Sequence, residues 1–175
     1  IRIALPPVDC GADEGVPRAQ LEITTDAGEM LADVELADPT AVIAPIHDRA
    51  CRAEAVAESL ELEWTSFVEA PPGEPGTLML SAASVGEGAG VRIVGVQETP
   101  LLAAASDGPG WAIEVAGTQG VTLHVVPNRC DPHVVQEDKR GTIFTLDVVV
   151  DDKPGTIELP VSPEMKGQIF AWVAL

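Results

Sequence analysis

The chain has 175 residues, with 28 Asp or Glu against 10 Lys or Arg, for a formal charge of −18. That length holds one sizeable hydrophobic core or two small ones. So negative a balance excludes nucleic acid and an anionic membrane surface as partners, and its carboxylates read as a solvated acidic surface. Aromatic residues are 3% and Tyr is absent, so the core must be mostly Val, Leu, Ile and Ala.

Strand patterns dominate in chain order. Apolar residues alternate over Ile1 to Leu5, Leu21 to Thr25 and Met30 to Leu36. Asp38-Pro39 then puts a capping acceptor before a proline suited to a first helical turn, and Val42, Ile43 and Ile46 follow at helical spacing. Pro45 is expected to shorten or kink that helix, and Asp48 to cap another through Arg52, Ala55, Val56 and Glu58. Alternation returns at Leu60 to Val68 and Thr77 to Ser84, on either side of the loop Pro71-Pro72-Gly73-Glu74-Pro75-Gly76. It continues at Val91 to Val96, Trp111 to Val115, Val121 to Val125, Thr142 to Val150 and Thr156 to Val161. The turns between them are Gly86 to Gly90, Ser106 to Gly110 and Asp151-Asp152-Lys153-Pro154-Gly155. Asp131-Pro132 opens a short helical turn, and Ser162-Pro163 opens a last helix carrying Met165, Ile169, Phe170 and Val173. Many short strands at this spacing predict an all-β fold, an immunoglobulin-like β-sandwich with a few short helices.

Two stretches repeat. Ile1 to Leu5 with Pro7 and Cys10 has the frame of Val121 to Val125 with Pro127 and Cys130, and Val34 to Pro39 echoes Ile157 to Pro163. A duplicated strand–Cys–strand–strand–helix unit accounts for both. It divides the chain into a partial first β unit with a helical end, 1–59, and a second immunoglobulin-like sandwich unit, 60–175. A partial unit cannot bury both sheet faces alone.

The repeat bears on the three cysteines. Cys51 follows Pro39 at the distance at which Leu175 follows Pro163, so closing each unit on itself pairs Cys10 with Cys51. On the chain-entropy model that loop stabilises by about 4 kcal/mol. Cys51–Cys130 is the rival, and three reduced buried thiols the third reading.

The densest polar cluster runs from Arg129 to Arg140. Cys130 and His133 have the spacing of half a zinc site, and His47 with Cys51 could complete a set across the units, but no second pair has that spacing. Nucleophile elbow, phosphate loop and dinucleotide fingerprint are all missing from the sequence. Asp147, Asp151 and Asp152 lack the pattern of a calcium loop. No metal, cofactor or catalytic residue is therefore expected, and the chain reads as a non-enzyme. The candidate contacts for a ligand or partner are Arg129, Asp131, His133, Glu137, Asp138 and Lys139. His124 is expected to face away from Leu123 and Val125.

The run Arg129-Cys130-Asp131-Pro132-His133, with Glu137-Asp138-Lys139 and Gly141-Thr142 after it, resembles a motif of uncharacterised actinobacterial envelope proteins, secreted or membrane-anchored, with an immunoglobulin-like region. A segment like Arg49-Ala50-Cys51-Arg52 precedes the motif in that family. The resemblance covers mainly the last fifty residues, and it implies an extracytoplasmic location, a sandwich fold and no particular activity. The expected function is a structural or protein-interaction domain meeting another envelope protein. The membrane would be reached only through an anchor outside this chain. The alternative is a cation- or small-ligand-binding module built on the acidic and His segment after Cys130.

Overall fold

The computed structural model describes residues 8–11, 18–26, 28–35, 37, 40–86, 90–105, 110–129 and 140–174. The chain divides into two units, Ile1–Cys51 and Arg52–Leu175, with the division inside one helix. The Ile1 to Leu5 strand, the Asp38-Pro39 cap and the Asp131-Pro132 turn lie outside the described residues.

In the first unit, β1 (Arg18–Thr25) and β2 (Gly28–Glu35) form an antiparallel two-stranded sheet. Helix α1 (Ile43–Ser59) follows. Pro45 does not break it, because it stands in the first turn, where its missing N–H would have no intrahelical partner. Asp48 is consequently one turn inside α1 and caps nothing, which corrects the expectation of a separate helix.

The second unit is a sandwich of two four-stranded antiparallel sheets. One has the order β3 (Leu60–Val68), β4 (Gly76–Ser84), β8 (Gln119–Pro127), β6 (Leu102–Ala104). The other has the order β10 (Lys153–Pro160), β9 (Ile143–Val150), β5 (Val91–Val96), β7 (Trp111–Val115). With the strands lettered along the chain and β7 set aside, these are the A-B-E-D and G-F-C sheets of a constant-type immunoglobulin domain. β7 is one added strand on the free side of β5.

Alternation explains the core. Leu78 and Leu80 on β4, Leu123 and Val125 on β8, and Phe144, Leu146 and Val148 on β9 point inward and are buried. His124, between two of them, is exposed as the alternation predicts. With few aromatics available, three are spent on one contact: Phe144 lies 4.7 Å from Trp64 and 6.4 Å from Trp111, centroid to centroid. The Trp64 indole N–H donates to the Leu159 carbonyl at 3.1 Å, tying the first strand of one sheet to the edge strand of the other.

Connections follow from local chemistry. Asp151 and Asp152 both have positive φ, 49° and 61°, the two-residue hairpin turn that Asp tolerates. The strand therefore resumes at Lys153, and Pro154 is accommodated because β10 is at the sheet edge. Ser162 caps α2 (Pro163–Val173), its hydroxyl accepting from the Met165 N–H at 3.1 Å, with Pro163 in the first turn as expected. α2 buries Met165, Ile169, Trp172 and Val173. Trp172 meets Phe67 edge-on at 5.3 Å and donates to the Ala70 carbonyl at 2.9 Å. Both rings stand 3.3 Å from where a β-carbon on Gly76 would be, so that strand start has to be small. The short strand β6 escapes alternation because three residues carry no period.

Candidate functional site

Of the residues expected to contact a ligand, Arg129 is exposed just beyond β8. Asp131, His133, Glu137, Asp138 and Lys139 lie outside the described residues, as does Cys130. Arg140, at the far end of the segment, pairs with Glu158 on β10 at 2.7 Å. Asp147, which the sequence sets near the Asp151-Asp152 turn, accepts from the Gln97 side-chain amide at 2.7 Å. Among the described residues no three His, Cys, Asp or Glu side chains are grouped to hold a metal.

Cys10 and Cys51 form a disulfide, with Cα atoms 5.4 Å apart. Cys51 therefore has no thiolate to offer a metal, and the conceived zinc set with His47 fails on that ground. The bond closes the first unit, joining the segment before β1 to the middle of α1. His47 is one helical turn before Cys51 and so lies on the same face. Its Nε2 is 3.2 Å from the Asp9 carbonyl oxygen, its Nδ1 is 3.8 Å from Asp48 Oδ1, and the Cys51 sulfur is 3.9 and 3.8 Å from the two ring nitrogens. Sequence reading noted that His47 and Cys51 are neighbours. Their spacing on one helix was the signal that joins them, and the part of Asp9 had none.

The second feature of the first unit is a face. In the β1–β2 register Ile23 is opposite Met30 and Leu21 opposite Ala32, with Val34 two residues further on, so these side chains share one side of the sheet. Gln20, Glu22, Glu29, Asp33 and Glu35 lie on the other side, with Arg18 and with Leu31 as an apolar exception. Hairpin β9–β10 has the same strand lengths and the same spacing between strands. Laying Arg18 on Ile143 puts Leu21 on Leu146, Ile23 on Val148, Ala32 on Ile157 and Val34 on Leu159. The pairings agree as well, since Leu21–Ala32 falls on Leu146–Ile157. The two hairpins differ in cover. Leu146, Val148 and Ile157 are 0%, 1% and 5% exposed, whereas Leu21, Ile23, Met30 and Val34 are 47%, 37%, 55% and 38% exposed. The face has the pattern of a sandwich core and is open to solvent. Alternation in the sequence located these strands, and only the register showed which residues share a side.

The second unit carries a cavity of about 230 Å³ beside the end of α2, walled by Pro71, Pro72, Val126, Pro127 and Trp172, with Glu74 at its margin. Its walls are apolar, and Trp172 has its indole N–H committed to Ala70.

No protein-family model and no curated protein matches the sequence. Among the described residues no helix is long and apolar enough to cross a membrane.

Proposed function

We propose that this chain is a non-enzymatic, extracytoplasmic interaction module of a bacterial envelope protein, docking through the open face of the β1–β2 hairpin. The observation that carries the proposal is the register match between that face and the buried face of β9–β10. A two-stranded sheet is marginal alone, and a contiguous apolar face is the mark of an interaction site. The occupant is an apolar β-sheet face of another envelope protein, rimmed by Lys or Arg. The sheet character follows from the core-like pattern of Leu21, Ile23, Met30 and Val34. The basic rim follows from the chain's formal charge of −18, which favours a partner of opposite sign. A second copy would instead bring another −18 of charge. The disulfide supports the location, because such bonds persist in oxidising compartments.

Photo-crosslinking in the intact envelope tests this reading. A crosslinker placed at Ile23 or Met30 is expected to capture one defined partner, mapped by mass spectrometry to a β-strand bearing Lys or Arg, while the same group at Thr24 on the opposite side captures none. Ile23→Glu is expected to abolish the Met30 crosslink. Equal capture at all three positions, or capture of this same chain, overturns the proposal.

A further inference from the structure

We propose that Cys10–Cys51 is a thiol-exchange site, opened by a dithiol reductant with His47 assisting departure of the Cys51 sulfur. Three observations converge on it. The bond is accessible at its Cys10 end, since Asp9, Cys10 and Gly11 are exposed, while Cys51 is only half-exposed on α1. The attacking thiolate accordingly approaches Cys10. The leaving sulfur would be Cys51, and it has an imidazole within 4 Å. That imidazole is held in place: Nε2–H donates to the Asp9 carbonyl, next to the cysteine under attack, and Nδ1 faces the Asp48 carboxylate. The ring is thus flanked by the Asp48 carboxylate on one side and by the Cys51 sulfur on the other. The sulfur is about equally distant from both ring nitrogens, so it responds to the ring's charge more than to one directed hydrogen bond.

The chemistry balances as ordinary exchange. The first thiolate of the reductant forms a bond to Cys10 Sγ. The Cys10–Cys51 bond breaks, and its electron pair leaves on Cys51 Sγ beside His47. The reductant's second thiol, deprotonated, then attacks its own sulfur in the mixed disulfide and releases Cys10 as thiolate, which takes a proton from water. Two electrons pass to the protein and the reductant is oxidised to its disulfide. A lower leaving-thiol pKa speeds the first step, and in general a cationic neighbour lowers it. Opening the bond removes the covalent tie between residue 10 and α1.

The test follows reduction of the oxidised protein by dithiothreitol at neutral pH, with thiols trapped in acid and counted. His47→Asn is expected to slow the first step by about fivefold, and His47→Lys, which restores a positive charge, to recover most of that rate. A rate unchanged in H47N, or slowed equally in H47K, overturns the proposal. A second measurement needs no variant. In the reduced wild-type protein, iodoacetamide is expected to label Cys51 faster than Cys10, although Cys10 is the more exposed. Faster labelling of Cys10, or equal rates, overturns it as well.

Discussion

Thr99 shows how much one polar side chain does in this sandwich. It lies where the chain crosses from β5 in one sheet to β6 in the other, and it is buried. Its hydroxyl donates to the Gly141 carbonyl at 2.7 Å and accepts from the N–H groups of Leu101 and Leu102 at 3.2 and 2.9 Å. Three backbone groups in an apolar setting are thereby satisfied by one atom. Thr99→Val keeps the shape and removes the oxygen, so it deletes these three hydrogen bonds and is expected to cost about 1–3 kcal/mol in urea denaturation. Thr99→Ser keeps the hydroxyl and should lose less than half of that, although it gives up a methyl. Equal losses would mean that packing, not hydrogen bonding, fixes the crossover. Nothing in the sequence marks Thr99, because its partners are brought to it by the fold. Gly110 belongs to the same class. Its φ of 78° and the Val96 carbonyl, which a β-carbon there would strike, both follow from how β5 and β7 meet.

At the scale of elements, what was legible depended on whether a signal is local. Helix α2 begins where a hydroxyl and a proline stand together, and the structure makes that bond. Ser162→Ala removes it and is expected to cost about 1 kcal/mol, with amide exchange rising in the first turn of α2 and not in β9. A uniform rise would place Ser162 in global stability instead of capping. Strands β3, β5 and β7 were readable to their ends, because alternation and flanking Gly or Pro are both local. α1 was not, since a proline that breaks a helix in its middle is harmless in its first turn, and alternation could not tell which turn Pro45 would occupy. The candidate site divides in the same way. The Cys10–Cys51 pairing came from comparing one part of the sequence with another. The apolar face of β1–β2 needed the register, because alternation finds strands without saying what covers them. Of the polar segment after β8, only Arg129 and Arg140 fall among the described residues.

At the scale of the molecule, the two units differ in what holds them. Among the described residues, every buried apolar residue of the core, from Val56 to Val173, belongs to the second unit. In the first unit, the described residues are held by polar contacts such as those of His47, a hairpin ladder, the turns of α1 up to Cys51 and a disulfide, with no buried apolar core among them. Stability should therefore be unequal along the chain. Hydrogen exchange reads that difference residue by residue. Amides of Leu80 and Leu146, in central strands of the two sheets, are expected to exchange only through global unfolding, with protection of about 10⁴ or more. Amides of β1 and β2 are expected to exchange at least about a hundredfold faster, through local opening that exposes little new apolar surface. Reducing the disulfide should speed exchange in the first turns of α1 and leave Leu80 and Leu146 unchanged, since the bond closes a loop wholly inside the first unit. If β1 and β2 proved as protected as β9, their apolar face would be covered within this chain, and the docking surface would have to be sought at the cavity beside Trp172. If the ordering holds, the same measurement repeated with the crosslinked partner should slow exchange at Leu21, Ile23 and Met30 specifically, because a facing sheet supplies the cover that Leu146, Val148 and Ile157 already have.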